Sequence, residues 1–353
     1  MTIVTDEKSA VRPSDTLSTT QLLGLLRSMM LIRRFEERCA QSYQQAKIGG
    51  FCHLYVGQEA VSVGSIAALQ PDDPIITAYR DHGHALARGM HPNHAMAEMF
   101  GKVTGCAKGK GGSMHLFDKY HHMYGGHAIV GGQCPLGAGI AFAVQYLNEA
   151  KVCVCYLGDG ALNQGAFHES LNLSAVWKLP VVWVCENNLY SMGTAIDRGT
   201  SMANNLSVKA AAYGISHVDC DGMDVLGVYD CFKPLVEGIR QGQGPVFVNV
   251  KTYRYKGHSM SDPQKYRSKE EVVLMQEEDP INRLVNDLID RGAAGQDDVD
   301  QLDREAKRLA MNAVRFANES ADTPQEELYT DVYVNPYGPF KKGVATDTTD
   351  DQP

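Results

Sequence analysis

Two short polar signatures, each placed at the end of a valine-rich run, constrain this chain more than anything else in it. Gly158-Asp159-Gly160 follows the apolar run 152–157, and Asn187-Asn188 follows the run 181–185. Runs of this kind, bounded by glycine or polar residues, read as buried parallel strands. Between them, 161–178 carries Phe167, Leu171, Leu173, Ala175 and Val176 in a helical pattern. Strand, helix and strand in that order form a βαβ unit whose two strands end on the same edge of a sheet. Asp159 and Asn188 are therefore expected to meet at the carboxyl edge, where open α/β sheets take ligands.

The chemistry suited to such a pair is a hard cation bridged to a diphosphate. Magnesium takes oxygen ligands in a near-octahedral shell, shared between one or two carboxylates and phosphate oxygens. Asp159 offers a carboxylate, Asn188 an amide oxygen and Tyr190 its backbone carbonyl. Gly158 and Gly160 permit close backbone approach, and a helix beginning at Ala161 aims its free amides at an anion. Either half alone is an ordinary turn or loop. Both halves on adjacent parallel strands make a site.

Composition removes other classes. The 353 residues carry a formal charge of −9, which opposes non-specific nucleic-acid binding and attraction to an anionic membrane. No apolar stretch approaches the ~20 residues that span a bilayer. The first residues include Asp6 and Glu7 and hold no apolar core, unlike a signal or organelle transit peptide. The nine cysteines lack CxxC spacing and are expected to be reduced thiols of a cytoplasmic protein. His91, His94, His121 and His122 have no companions at zinc spacing and read as surface and loop residues. The segment GCAKGKGGSMH at 105–115 is not a P-loop, because Gly111 stands where serine or threonine is needed. Gly137-Ala138-Gly139 continues as Ile-Ala-Phe, not as a dinucleotide fingerprint, which leaves a nicotinamide-dependent oxidoreductase only a distant alternative.

The chain reads as one domain over 18–340 between flexible tails, 1–17 and 341–353. Ser18 and Gln21 form a capping-box pattern before an amphipathic helix over 22–47. Glycine-rich loops dominate 49–139, interrupted by a short strand at 75–78 and a helical turn at 94–100. The stretches 105–115 and 125–139 are expected to be backbone-rich surfaces that approach a ligand or partner. Beyond Asn188 come a strand at 215–218, a helix at 225–241, a strand at 246–252, a polar loop at 253–267, and charged helices over 270–318 that include a start at Asp279-Pro280.

The GDG…NN pair, at this spacing, resembles the thiamine diphosphate motif of the transketolase-like enzymes. Four other segments narrow the likeness: GGFCHLYVGQEAV at 49–61, ITAYRDHGHALARG at 76–89, GCAKGKGGSMH, and TYRYKGHSMSDPQKYRSKEEV at 252–272. Together, over about 22–337, they are similar to the alpha subunits of thiamine-dependent first components of 2-oxo acid dehydrogenase complexes, the pyruvate type above the others. The resemblance implies an α/β thiamine diphosphate-binding fold, a mainly parallel sheet with helices on both faces. It implies thiamine diphosphate and Mg2+ as cofactors, the ion on Asp159, Asn188 and Tyr190. The cofactor would lie among His53, Tyr79, Arg80, Ala128, Val130, Gly158, Asp159, Gly160, Ala161, Asn188, Tyr190 and His258. His53 and His258 would act at the reacting groups, His258 from a mobile loop; His82 and His84 are weaker candidates.

The implied reaction is oxidative decarboxylation of pyruvate, with transfer of the acetyl group to the lipoyl group of an acyltransferase second component, feeding acetyl-CoA synthesis. In the family a separate beta subunit supplies the activating glutamate in an α2β2 heterotetramer, so the chain alone is expected to be inactive. Branched-chain 2-oxo acids or acetoin are the alternative substrates. Two departures stand out. Ala128 replaces a glycine usual near the diphosphate. Ser259 matches a serine phosphorylated in mitochondrial relatives, but Gln264-Lys265 replaces the segment carrying their second one, so such regulation is not expected here.

Overall fold

The computed structural model describes residues 11–332. A 3-10 turn, Pro13–Thr16, precedes α1 (Thr19–Gln44), which Ser18 and Gln21 cap reciprocally. Then come α2 (Glu59–Ala67), β1 (Ile75–Ala78), α3 (His82–Arg88), α4 (Pro92–Met99) and β2 (Met123–His127). The centre of the chain is α5 (Gln133–Tyr146), β3 (Cys153–Gly158), α6 (Gly165–Trp177) and β4 (Val181–Asn187). A small hairpin of β5 (Tyr190–Ser191) and β6 (Thr194–Ala195), with the single turns α7 (Ile196–Gly199) and α8 (Val208–Ala211), leads to β7 (Ser216–Asp221). After α9 (Val225–Arg240) and β8 (Val246–Lys251), the helices α10 (Lys269–Glu277), α11 (Pro280–Asp290) and α12 (Gln296–Glu319) follow.

Six strands form one wholly parallel sheet in the order β2-β1-β3-β4-β8-β7. From β1 the chain steps outward to β2 and then returns past β1 to β3. The direction of winding reverses there, which opens a crevice at the carboxyl ends of β1 and β3. The register of β3 on β4 runs from Cys153 against Val181 to Gly158 against Glu186. Asp159 and the Asn187-Asn188 pair thus leave the sheet side by side, as the βαβ reading requires.

Alternate residues of β3 divide between two cores. Val154 and Tyr156 face the one built from α1, α2 and α9; Cys153, Cys155 and Leu157 face the one built from α5 and α6. Both faces are covered, which explains why the strand sequences are apolar throughout rather than alternating. All nine cysteines are free. No described helix is long and apolar enough to cross a membrane.

Several expectations change. The stretch 125–139 is not chiefly an open surface, because α5 begins inside it. Gly137 lets this helix lie against β3: a Cβ there would sit 3.0 Å from the Cβ and Sγ of Cys155. That tertiary contact overrides the roughly 1 kcal/mol that a glycine costs a helix relative to alanine. The stretch 105–115 wraps a residue of its own chain. The buried carboxylate of Glu98 accepts from the amides of Ala107, Gly109 and Gly111 at 2.7–2.9 Å. Three of its backbone donors are therefore satisfied internally. The ordered chain also starts before Ser18: Ser14 is buried and donates through its amide and hydroxyl to Asp230 on α9 at 2.6 and 2.8 Å. The remainder of the expected first tail, 1–10, and the whole of the second, 341–353, lie outside the described residues.

Candidate cofactor and metal site

A cavity of about 220 Å³ opens at the crevice between β1 and β3. Tyr79 and Arg80 reach it from the end of β1, Gly158 to Ala161 from the end of β3, and Asn188 and Tyr190 from the segment after β4. Val130 enters from the loop after β2. Ala128 lies two residues before Val130 and is not part of the lining. His53 and His258 stand beside the cavity, packed tilted and edge-on around Tyr79: their ring centroids lie 4.5 and 5.6 Å from its ring and 5.0 Å from each other.

The helix expected from Ala161 is replaced at first by a 3-10 turn, Asp159–Asn163; α6 begins at Gly165. The turn folds Asp159 back under the cavity, where it is only 4% exposed. Ser191 donates to its Oδ1 at 2.9 Å, and its Oδ2 has no hydrogen-bond partner. Burial raises the pKa of this carboxyl, partly offset by the Ser191 hydroxyl and the Gly160 amide. A buried carboxylate oxygen without a donor is costly unless something else satisfies it. A divalent cation would.

The neighbouring oxygens agree. The side-chain amide of Asn188 donates to Gln58 Oε1 at 3.0 Å, which leaves its own Oδ1 free to accept on the other side. There Arg254 donates to Asn188 Oδ1 at 3.0 Å and to the Tyr190 carbonyl at 2.6 Å. Two of the three expected metal ligands thus already hold a positive charge. Donor chemistry, orphaned Oδ2 and stand-in cation fit a bound Mg2+.

Arg80 is buried and spends its guanidinium on the carbonyls of Leu54 and His258, at 2.6 and 2.8 Å. Among the described residues neither Arg80 nor Arg254 makes an ion pair with a carboxylate. Burial, with the charge of Arg254, lowers the pKa of Arg80. Two buried cations without bonded counter-charges at one cavity suit an anion such as a diphosphate. The same field acts on the histidines. Burial, then Arg80, pushes His53 down to about 2; burial, then Arg80 and Arg254, pushes His258 down to about 4. Both rings are neutral at pH 7, and Nδ1 of His53 has no partner.

His82 and His84 lie deeper. His82 bridges Glu36 at 2.9 Å and the Ser113 hydroxyl at 2.9 Å, beneath the amide of His53. His84 and the hydroxyl of Tyr55 both engage Glu186, which lines the cavity. Glu186, Gln58, Ser191 and Arg254 were not among the sequence candidates. Glu186 had a legible signal, as a carboxylate closing an apolar strand. Gln58, Ser191 and Arg254 act through folding partners that no local pattern displays.

The sequence profile of the family described as dehydrogenase E1 component matches residues 27–326. The pyruvate dehydrogenase E1 component subunit alpha of Rhizobium meliloti (strain 1021) is 49% identical over 311 residues, covering 88% of this chain and 89% of that protein. Its namesake from Zymomonas mobilis is 49% identical over 319 residues, covering 90% of each. That of Rickettsia bellii is 47% identical over 308 residues, covering 87% of this chain and 94% of the relative. Matched by the family profile over most of its length and by relatives close to half identical, this chain belongs to the dehydrogenase E1 component family.

Proposed function

We propose that this chain is the alpha subunit of a pyruvate dehydrogenase (acetyl-transferring) first component, acting with thiamine diphosphate and Mg2+. The observation that carries the reading is the orphaned, buried Asp159 Oδ2 beside the oxygens of Asn188 and Tyr190, in a chain whose relatives bear that name. Bound thiamine diphosphate supplies an electron sink for decarboxylation of a 2-oxo acid. The protein's share is placement and electrostatics. Asp159, Asn188 and Tyr190 hold the ion. Arg80 meets the diphosphate charge, and Gly158 and Gly160 let the backbone come close. His53 and His258, kept neutral by burial and by the two guanidiniums, offer unprotonated nitrogens beside the cavity, able to accept a hydrogen bond or a proton from substrate.

The partner subunit belongs to the same proposal. The described residues contain one six-stranded sheet, and its α5–α6 face leaves Phe142, Tyr146, Val176 and Trp177 exposed. An apolar group of that kind supports a protein interface. A beta subunit in an α2β2 assembly, a lipoyl-bearing acyltransferase as acceptor and a cytoplasmic location complete the reading, the last supported by nine free thiols. The test compares the purified chain, verified free of partner, with its mixture with the cognate beta subunit. Decarboxylation is followed on pyruvate, 3-methyl-2-oxobutanoate and acetoin. The mixture is expected to turn over pyruvate fastest and the chain alone to be silent. Equal turnover by the lone chain defeats the two-subunit reading, and preference for another substrate defeats the assignment to pyruvate.

A further inference from the structure

Three buried side chains, Glu36, His82 and Ser113, converge on the backbone that carries His53. Residues 51–55 belong to no helix or strand, so their course is set by what grips them. The amide of Tyr55 donates to Glu36 Oε1 at 2.6 Å, and that of His53 donates to the Ser113 hydroxyl at 3.3 Å. The intervening Leu54 carbonyl accepts from Arg80 at 2.6 Å. The two amide grips are joined beneath the segment. Glu36 Oε2 lies 2.9 Å from His82 Nδ1, and His82 Nε2 lies 2.9 Å from the Ser113 hydroxyl and 3.0 Å from the Ser113 carbonyl.

Glu36, Cys39 and His82 also bring ligand atoms within 4.8 Å of one another, the spacing of a metal site. Their partners argue for a different use. The Ser113 carbonyl can only accept, so Nε2 of His82 carries a proton; an ionised Glu36 can only accept, so Nδ1 carries one too. Burial opposes the charged ring, but the charge and hydrogen bond of Glu36 outweigh it and the pKa of His82 is raised. A ring protonated on both nitrogens offers a metal no lone pair. It is instead a two-ended donor that ties the carboxylate to the serine. The far end is fixed as well: Ser113 sits between the amide of Gly111, held by Glu98 at 2.7 Å, and the amide of Leu116, held by Asp81 at 2.9 Å.

We propose that Glu36, His82 and Ser113 form a positioning relay for His53: none of them touches the reacting groups, and together they hold the backbone from which its imidazole reaches the cavity. This inference rests on the reading of His53 as a group that acts at the reacting centre. The His53 ring packs on Tyr79, and its Nδ1 has no hydrogen-bond partner, so the direction of the imidazole is set through its backbone. A single carboxylate on α1 governs both ends of that backbone, one amide directly and the other through His82 and Ser113. Placement of this kind matters kinetically, since a displacement of about 1 Å at a reacting group costs up to about 100-fold in rate.

The experiment compares the assembled enzyme with its Ser113→Ala variant, which removes the hydroxyl that holds the His53 amide. Glu36→Asp is a second variant should alanine impair folding: it keeps the charge but withdraws it by one methylene, out of reach of Tyr55 and His82 together. Each variant is expected to lower kcat ~10-fold, while KM for pyruvate and calorimetric affinity for thiamine diphosphate stay within ~3-fold of the parent. In a His53→Gln background neither substitution should lower kcat further, because the group it positions is gone. A merely structural relay costs the same factor with or without His53, or weakens cofactor binding in step with turnover. Either result overturns the proposal, as does parental kcat in both variants. The His53→Gln background also separates the two levels of inference. Parental kcat in His53→Gln alone removes His53 from the chemistry and the relay with it. A slow His53→Gln enzyme in which Ser113→Ala again costs its full factor leaves the His53 reading standing and overturns the relay alone.

Discussion

Replacing Gly160 by alanine probes the proposed metal site without touching any of its proposed ligands. A Cβ at this position would overlap the Ser191 hydroxyl and come within 2.9 Å of Ser191 Cβ. That hydroxyl is the donor that fixes Asp159 Oδ1 at 2.9 Å. The methyl group is accommodated either by rotating Ser191 or by pushing β5 outward. Rotation removes a hydrogen bond to an ionised carboxylate, a contribution of about 1.5–3 kcal/mol. At about 1.4 kcal/mol for each factor of ten, Mg2+ affinity should fall roughly 10- to 100-fold. Movement of β5 costs about 1–3 kcal/mol of overpacking and displaces the Tyr190 carbonyl as well. The assay is calorimetric titration of the assembled variant with Mg2+ and thiamine diphosphate, alongside thermal unfolding. Adding Ser191→Gly to the alanine variant restores space but not the donor, so it should recover thermal stability and leave the affinity low. Wild-type affinity in Gly160→Ala would refute the reasoning, because the clash and the donor act on the same atom.

Asp159→Ala should abolish cofactor retention while leaving the circular dichroism spectrum unchanged; equal thiamine diphosphate affinity removes Asp159 from the metal. For His258 the linkage sign follows from a folded pKa of about 4 against an ordinary value of about 6.5. Above about 6.5 the ring is neutral in both states and its full contribution is present; as the pH falls toward 4 the unfolded chain takes up the proton first and stability is lost. The urea midpoint of the stripped enzyme should therefore drop across that window, less steeply in His258→Gln, and an identical slope in the variant contradicts the cause given. The loop 253–267 should be cleaved more slowly by protease when thiamine diphosphate and Mg2+ are present; equal rates mean that it does not respond to loading.

Much of the sheet was legible because its strands are continuous apolar runs with sharp ends. The strand 75–78, both halves of the βαβ unit, and the start of α11 at Asp279-Pro280 fall where the pattern places them. Asp279 also shows why that start is firm: besides capping α11 it accepts from Arg33 of α1 at 3.0 Å, an ion pair outside any local window. The glycine-rich third between α1 and β3 was less legible. In Met123–His127 the sequence MYGGH carries no strand period, and β2 exists because β1 offers an edge to pair with. In α5, Gly137 weakens the helix locally yet is what lets it pack against β3. For the site, the motif residues announce themselves through backbone demands and hard-ligand chemistry, whereas Arg254 and Gln58 are chosen by proximity that only the closed fold creates.

The cavity draws its walls from Gln58, the end of β1, the loop after β2, the end of β3, the segment after β4 and Arg254. No contiguous fragment of the chain owns it, and strand β8, which delivers Arg254, lies between β4 and the edge strand β7. A ligand that requires all these pieces at once has affinity for the finished sheet and none for its parts. Cofactor binding is therefore linked to the folding of the whole domain: at a hundred times the dissociation constant it adds about 2.7 kcal/mol to the folded state. Cofactor supply thus becomes a determinant of how much of this chain stays folded, and cofactor starvation should be visible first as lost protein rather than as slow enzyme.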